Sequence, residues 1–246
     1  MAIKGLIFDL GNTLMYFAGD WPEVFMVADK AMVRYLVQTG CDLDQDRFAL
    51  EFRDQLREYY VAREQEHVEL TTAHILKNLL TEHGYPSVSD QVVERALESF
   101  YQETQAYWLP EQDASATLAA LKSQDYHLGV ISNASDDADV QNLVDKAEVR
   151  PYLDFVLSSA SCGIRKPNPE IFNIALKRWG FSPQEVAMVG DTLDADVLGG
   201  KNAGLYTIWI TRRVGVSPNP AKLDHIQPDA TIQTLAELPA LLADIP

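Results

Sequence analysis

Leu6-Ile7-Phe8-Asp9-Leu10-Gly11-Asn12-Thr13-Leu14 is the stretch that decides how this chain is read. An apolar run stops at a carboxylate, and a Gly-Asn pair, the composition of a tight turn, follows at once. Open α/β folds bind ligands beyond the carboxyl ends of their strands. A strand ending this way therefore holds Asp9 at the lip of a sheet, where a carboxylate can be a nucleophile or hold a hard cation. Taken singly, Asp9 is equally at home as a turn residue; its weight comes from what lies downstream.

Short apolar runs alternate with helical patterns in the second half of the chain. Strands are expected at 3–8, His127–Ser132, Phe155–Ser158, Val186–Gly190, Tyr206–Ile210 and, more weakly, Ala230–Ile232. Helices are expected near 113–124, 136–147, 168–179 and 194–203. This alternation predicts a parallel sheet with helices on both faces. Gly180 and Gly204 fit helix stops, and Ser182-Pro183 fits a cap with a first-turn proline.

The region from Tyr16 to Thr104 reads differently. Apolar residues recur every three or four positions, the amphipathic helical signature. The four periods are Val24, Val27, Ala28, Ala31, Tyr35; Phe48, Phe52, Leu56, Tyr59, Tyr60; Ile75, Leu76, Leu79, Leu80, ending at Gly84; and Val92, Val93, Ala96, Leu97, Phe100. An all-helical module, 16–104, is thus expected inside an α/β core made of 1–15 and 105–246. The module carries 17 acidic and 8 basic residues, which suits the solvated face of a bundle. The segment 217–220 reads as a short surface loop.

The 246 residues have a net charge of −16 and are 47% hydrophobic, enough for a sizeable core. The acidity argues against nucleic acid, whose affinity rests on Lys and Arg at phosphates, and against an anionic membrane surface. It does not exclude a small anionic substrate, because one lysine and one metal can reverse the field inside a pocket. The two cysteines, Cys41 and Cys162, form no CxxC pair and no disulfide framework, so a reduced cytoplasmic setting is expected. The first residues reach Asp9 too soon for a signal sequence, and no apolar run approaches the ~20 residues of a membrane span.

Four signals make the chemistry. Asp9 ends the first strand. Ser132, in Leu128-Gly129-Val130-Ile131-Ser132-Asn133, ends another. Lys166, in Gly163-Ile164-Arg165-Lys166-Pro167-Asn168-Pro169, precedes a helix start. Asp191, in Val189-Gly190-Asp191-Thr192-Leu193-Asp194-Ala195-Asp196, ends a further strand, with Asp196 beyond it. Singly, Ser132 is a helix cap, Lys166 a surface lysine and Asp191 a cap of the next helix. In this order, at strand ends, they suit phosphoryl transfer. Asp9 attacks phosphorus in line. Asp9 and Asp191, with a main-chain carbonyl near Gly11, share a hard cation such as Mg2+. Ser132, Asn133 and Lys166 hold the phosphoryl oxygens, where charge must be stabilised. Asp196 belongs with the metal set or holds Lys166.

These motifs resemble the haloacid dehalogenase superfamily of phosphohydrolases, and the resemblance extends along essentially the whole chain. The stretches 163–172 and 189–204 are very similar to subfamily I members. The helical insert occupies the place of that family's α-helical C1 cap. The resemblance implies a Rossmann-like core, Mg2+ and an aspartyl-phosphate. It maps the nucleophile to Asp9, the phosphate-binding hydroxyl to Ser132, the phosphate-binding lysine to Lys166, and the acidic metal motif to Asp191 and Asp196. The expected substrate is a small phosphorylated metabolite. One position departs. The family usually has a second aspartate two residues after the nucleophile, which protonates the leaving oxygen and then activates water; here it is Gly11. Asp20 is a conceivable replacement acid. Two other readings remain open: a haloacid dehalogenase needing no metal, and a binding or regulatory protein that retains the fold. Tyr16, Phe17, Trp21 and Trp108 can line an entrance or pack in a core.

Overall fold

Strand β1 (Gly5–Phe8) is apolar at nearly every position and lies at the centre of the molecule's main sheet. The computed structural model describes residues 2–66, 69–215 and 225–245; the loop expected at 217–220 lies outside the described residues. The chain forms two compact units, Met1–Phe17 with Leu109–Pro246, and Ala18–Trp108.

The first unit is built on a six-stranded parallel sheet. Its strands are β1, β4 (His127–Ser132), β5 (Phe155–Ser158), β6 (Val186–Gly190), β7 (Tyr206–Ile210) and β8 (Ala230–Ile232), in spatial order β5-β4-β1-β6-β7-β8. Parallel strands need crossover connections, and helices supply them. Between β1 and β7 they are α5 (Ala114–Ser123), α6 (Asp137–Lys146), α7 (Ser159–Cys162), α8 (Pro169–Trp179) and α9 (Gly199–Asn202); α10 (Leu238–Ala243) follows the last strand. Helix α8 shows why these residues fold here. The Asn168 side chain caps its start by accepting from the Glu170 N–H at 3.0 Å. Pro169 occupies its first turn, and Gly180, at φ 71°, ends it. Its buried face, Ile171, Phe172, Ala175 and Leu176, packs with Ile7, Ile131 and Met188 of the sheet.

Register sets the site. Phe8 is paired with Val130 on one side and Val189 on the other. Asp9 therefore stands level with Ile131 and Gly190, and Ser132 and Asp191 stand one residue further along. Three strands, β1, β4 and β6, thus deliver their polar residues to one edge of the sheet, the edge where the strands end.

Two short strands, β2 (Met15–Phe17) and β3 (Trp108–Pro110), form a separate two-stranded sheet where the chain leaves this unit and returns. Within the unit, buried Glu111 accepts from Arg212 at 2.7 Å and Arg213 at 2.8 Å, and the Arg213 guanidinium lies 3.8 Å from the Tyr16 ring. Tyr16 is thereby packed under a cation.

The second unit consists of α1 (Trp21–Gln38), α2 (Gln45–Glu66), α3 (Thr72–Glu82) and α4 (Asp90–Gln105). Side chains cap all four: Asp20 accepts from the Glu23 N–H, Asp44 from that of Arg47, Thr71 from that of His74, and Ser89 from that of Val92. The core joins Met32, Val33 and Leu36 of α1, Phe48 and Phe52 of α2, Leu76 and Leu79 of α3, and Val93, Leu97 and Phe100 of α4. The α1 stripe differs from the expected one. Val24, Ala28, Met32 and Leu36 are buried, spaced by four, whereas Val27 is 50% exposed. A spacing of four keeps these side chains on one row of the helix and rotates Val27 off it. No helix among the described residues is long and apolar enough to cross a membrane.

Candidate active site

Asp9 directly follows β1, and its main-chain N–H still donates to the Val189 carbonyl at 2.9 Å. Oδ1 accepts from Lys166 Nζ at 2.6 Å. Oδ2 takes no hydrogen bond from a described residue, and the side chain keeps 12% exposure. One oxygen is locked and the other is free. Burial pushes the Asp9 carboxyl up to about 7; the Lys166 ammonium opposes this, and the Asp196 and Asp191 carboxylates add to it.

Lys166 is buried and spends all three ammonium hydrogens: on Asp9, on the Ile131 carbonyl at 2.8 Å and on Asp196 Oδ1 at 2.7 Å. Burial works against its charge, but the Asp196 and Asp9 carboxylates outweigh it and hold its pKa above the usual range.

Asp191 follows β6. Its Oδ1 accepts from the Thr192 hydroxyl at 3.2 Å, and its main-chain carbonyl accepts from the buried Trp209 indole N–H at 2.9 Å. A π-helical turn, Leu193–Leu198, then brings Asp196 back beneath the strand end. Such turns are rare and recur at functional sites. The Thr192 N–H donates to Asp196 Oδ2 at 2.9 Å, so both oxygens of Asp196 are engaged. Gly190 makes the room: a Cβ there would lie 2.3 Å from the Asp196 carboxylate.

Asp9, Asp191 and Asp196 are all buried, with one carboxylate oxygen from each within 4.8 Å of the others, the one such group among the described residues. Lys166 is the ammonium hydrogen-bonded within this group, and it cancels only part of the negative charge. Buried charges persist only when compensated. The donor set, all oxygen and all acidic, fits a hard divalent cation.

Ser132 closes β4 and is buried, yet its hydroxyl makes no hydrogen bond to another described residue. Asn133 follows it, and its side-chain amide engages the main chain of Lys166. Gly11 lies on the turn after Asp9, bridged to Met15. The positive-φ glycines among the described residues are Gly40, Gly84, Gly163, Gly180 and Gly204, so the backbone at Gly11 does not demand glycine.

Asp9, Ser132, Asn133, Lys166, Asp191 and Asp196 thus come together at one sheet edge. Asp20, in the other unit, caps α1. Trp21, 39% exposed, stacks on Phe25 within that unit, with centroids 5.0 Å apart. Three contributors carry no motif signal: the Ile131 carbonyl, Thr192 and Trp209. Trp209 was reachable only through strand register, which pairs it with Gly190.

A family model described as haloacid dehalogenase-like hydrolase matches residues 3–204. The chain is 29% identical over 241 residues to the glyceraldehyde 3-phosphate phosphatase of Pyrococcus furiosus, an alignment covering 98% of this chain and 92% of that protein. It is 34% identical over 142 residues to the phosphoserine phosphatase of Thermus thermophilus, covering 57% and 54% of the two chains. Among solved structures, a 2-haloacid dehalogenase from Pseudomonas syringae pv. Tomato DC3000 matches with a TM-score of 0.69 at 24% identity, over 98% of both chains. At that identity the likeness speaks for the fold alone.

Proposed function

The chain belongs to the haloacid dehalogenase-like hydrolases, and from that premise we propose that it is a Mg2+-dependent phosphatase of small phosphomonoesters, working through a phosphoryl-Asp9. The observation that carries this reading is the asymmetry of Asp9: Oδ1 is held by Lys166 while Oδ2 is free. A nucleophile fixed through one oxygen presents the other in a set direction, which is the positioning that phosphoryl transfer needs. The similarity to relatives named as phosphatases supports the same class of reaction.

Asp9, Asp191 and the main chain at Gly11 would hold the cation, with Asp196 beside them. When bound, Mg2+ supplies positive charge to the carboxylates and to the phosphoryl oxygens. Asp9 Oδ2 forms its bond to phosphorus as the ester P–O bond breaks, and the departing oxygen takes its proton from water, because Gly11 has none to give. Water then displaces the Asp9 carboxylate, releasing inorganic phosphate and restoring the residue. Ser132 would hold an equatorial oxygen through both steps, and Lys166, whose three hydrogens are all engaged in the resting site, would reach another by redirecting one of them. Asp196 keeps Lys166 in place. The helical unit is proposed to act as the cap that selects substrate.

The buried trio of carboxylates favours this reading over a metal-free dehalogenase, for which that much uncompensated charge serves no purpose. The test is a screen of glyceraldehyde 3-phosphate, phosphoserine, nucleoside 5′-monophosphates and aryl phosphates, with Mg2+ or EDTA, beside 2-chloropropionate. Phosphate release that needs Mg2+ is the expected result. Metal-independent halide release, or no turnover of any compound, refutes the proposal.

A further inference from the structure

We propose that Asn133 is a positioning residue: its side-chain amide clasps the main chain of Lys166 and so sets where the Lys166 ammonium stands. The inference rests on the proposed role of Lys166 at the phosphoryl group.

The clasp runs both ways. The Lys166 main-chain N–H donates to Asn133 Oδ1 at 2.8 Å, and Asn133 Nδ2 donates to the Lys166 carbonyl at 2.9 Å. A primary amide presents a donor and an acceptor side by side, so it meets one residue's N–H and C=O as a neighbouring strand would. The far end of the lysine is held from the same place, because its ammonium donates to the Ile131 carbonyl at 2.8 Å. Ile131 and Asn133 flank Ser132. One tripeptide at the end of β4 therefore grips Lys166 at both ends and carries between them the unengaged hydroxyl of Ser132. The spacing between hydroxyl and ammonium is set by this short segment rather than by two loops packed independently.

The amide of Asn133 is committed to Lys166, so a contact of Asn133 with a phosphoryl oxygen falls to its main chain. Its side chain acts through Lys166. The chemistry excludes simple replacements. Alanine loses both bonds. Aspartate keeps an acceptor for the Lys166 N–H but loses the donor to the Lys166 carbonyl.

Amide hydrogen exchange on the full-length resting protein reads the clasp directly, and steady-state kinetics with Mg2+ and an aryl phosphate read its consequence. In Asn133→Ala, exchange at the Lys166 N–H should quicken about 10-fold or more, while the β1 and β6 amides stay protected. The kcat should fall about 10- to 100-fold, since small misplacements of a catalytic group cost that much, with KM changed less than about 3-fold. Asn133→Asp should keep Lys166 protected and recover part of kcat; it also serves should the alanine variant not fold, in which case faster exchange at Lys166 in it combined with parental kcat overturns the proposal. Unchanged exchange at Lys166 in folded Asn133→Ala overturns the clasp. Faster exchange with parental kcat, or a rise in KM alone, overturns the positioning role. A parent inactive on every phosphate ester would refute the functional reading instead, and the exchange result would still decide the clasp.

Discussion

Two residues beyond Asp9, where the family resemblance implies a proton donor, the chain has Gly11, and in the proposed mechanism this residue limits catalysis. General acid–base help is worth ~10²–10⁴-fold. Without it, the rate should depend steeply on the leaving group's pKa: aryl and acyl phosphates turn over readily, simple alkyl phosphates poorly. Gly11→Asp should flatten that dependence and raise alkyl ester rates ~10-fold or more, short of the full range because the pocket was not shaped around the carboxylate. The backbone permits the change, since Gly11 is not among the positive-φ glycines of the described chain. A folded variant with no gain on alkyl esters counts against the missing-acid account. Gly190 is the opposite kind of glycine, one the site cannot replace. A methyl group there would lie 2.3 Å from the Asp196 carboxylate, which must then leave Lys166. Gly190→Ala is expected to lose activity at least ~10-fold through misplacement of Lys166. Parental kinetics in that variant would remove Asp196 from the positioning role.

Between elements, the helical unit carries a pH-dependent contact of its own. Asp29 on α1 is buried; Arg53 on α2 donates Nε to its Oδ2 at 2.8 Å, while Oδ1 has no partner. Burial pushes the Asp29 carboxyl up to about 6, against the pull of Arg53. A carboxyl raised in the folded state binds protons there more tightly than in the unfolded chain. Its stabilising contribution is complete below about 4 and is lost as pH rises through about 6. Between pH 7 and pH 5 the parent should therefore gain about 1 kcal/mol relative to Asp29→Asn, read as the difference in urea midpoints of the two proteins at the two pH values. Parallel shifts in both proteins would show that Asp29 does not titrate in this range. The elements themselves were largely legible in the sequence. Strands β4 to β8 fall where the apolar runs placed them, because a strand buried on both faces is an unbroken apolar run between turn residues. Asp9, Ser132 and Asp191 were legible because each sits at the end of such a run, and Lys166 and Asp196 through the motifs around them. What stayed hidden depends on three dimensions. Val27 looked inward by periodicity and points out, since α1 buries a four-residue row. The π-helical turn at Leu193–Leu198 has no sequence period of its own. The Asn133 clasp joins residues 33 positions apart, which spacing cannot reveal.

At the scale of the whole molecule, a chain of net charge −16 assembles one edge where three buried carboxylates and one buried lysine face each other. The lysine offsets only part of that buried charge, and the proposed cation would offset more. The central claim is that the phosphoryl group passes through Asp9. Gly11 makes this accessible to experiment, because the missing carboxylate that fails to protonate the leaving group also fails to activate the water that clears the intermediate. Phosphoryl-Asp9 should therefore accumulate. The most direct measurement mixes the parent with a radiolabelled aryl phosphate and Mg2+, quenches in acid within the first turnover, and maps the label. The account predicts acid-stable, hydroxylamine-sensitive label on the peptide carrying Asp9, absent from Asp9→Asn and from parent treated with EDTA. Turnover that proceeds with Asp9 unlabelled, or in Asp9→Asn at a rate within tenfold of the parent, contradicts it.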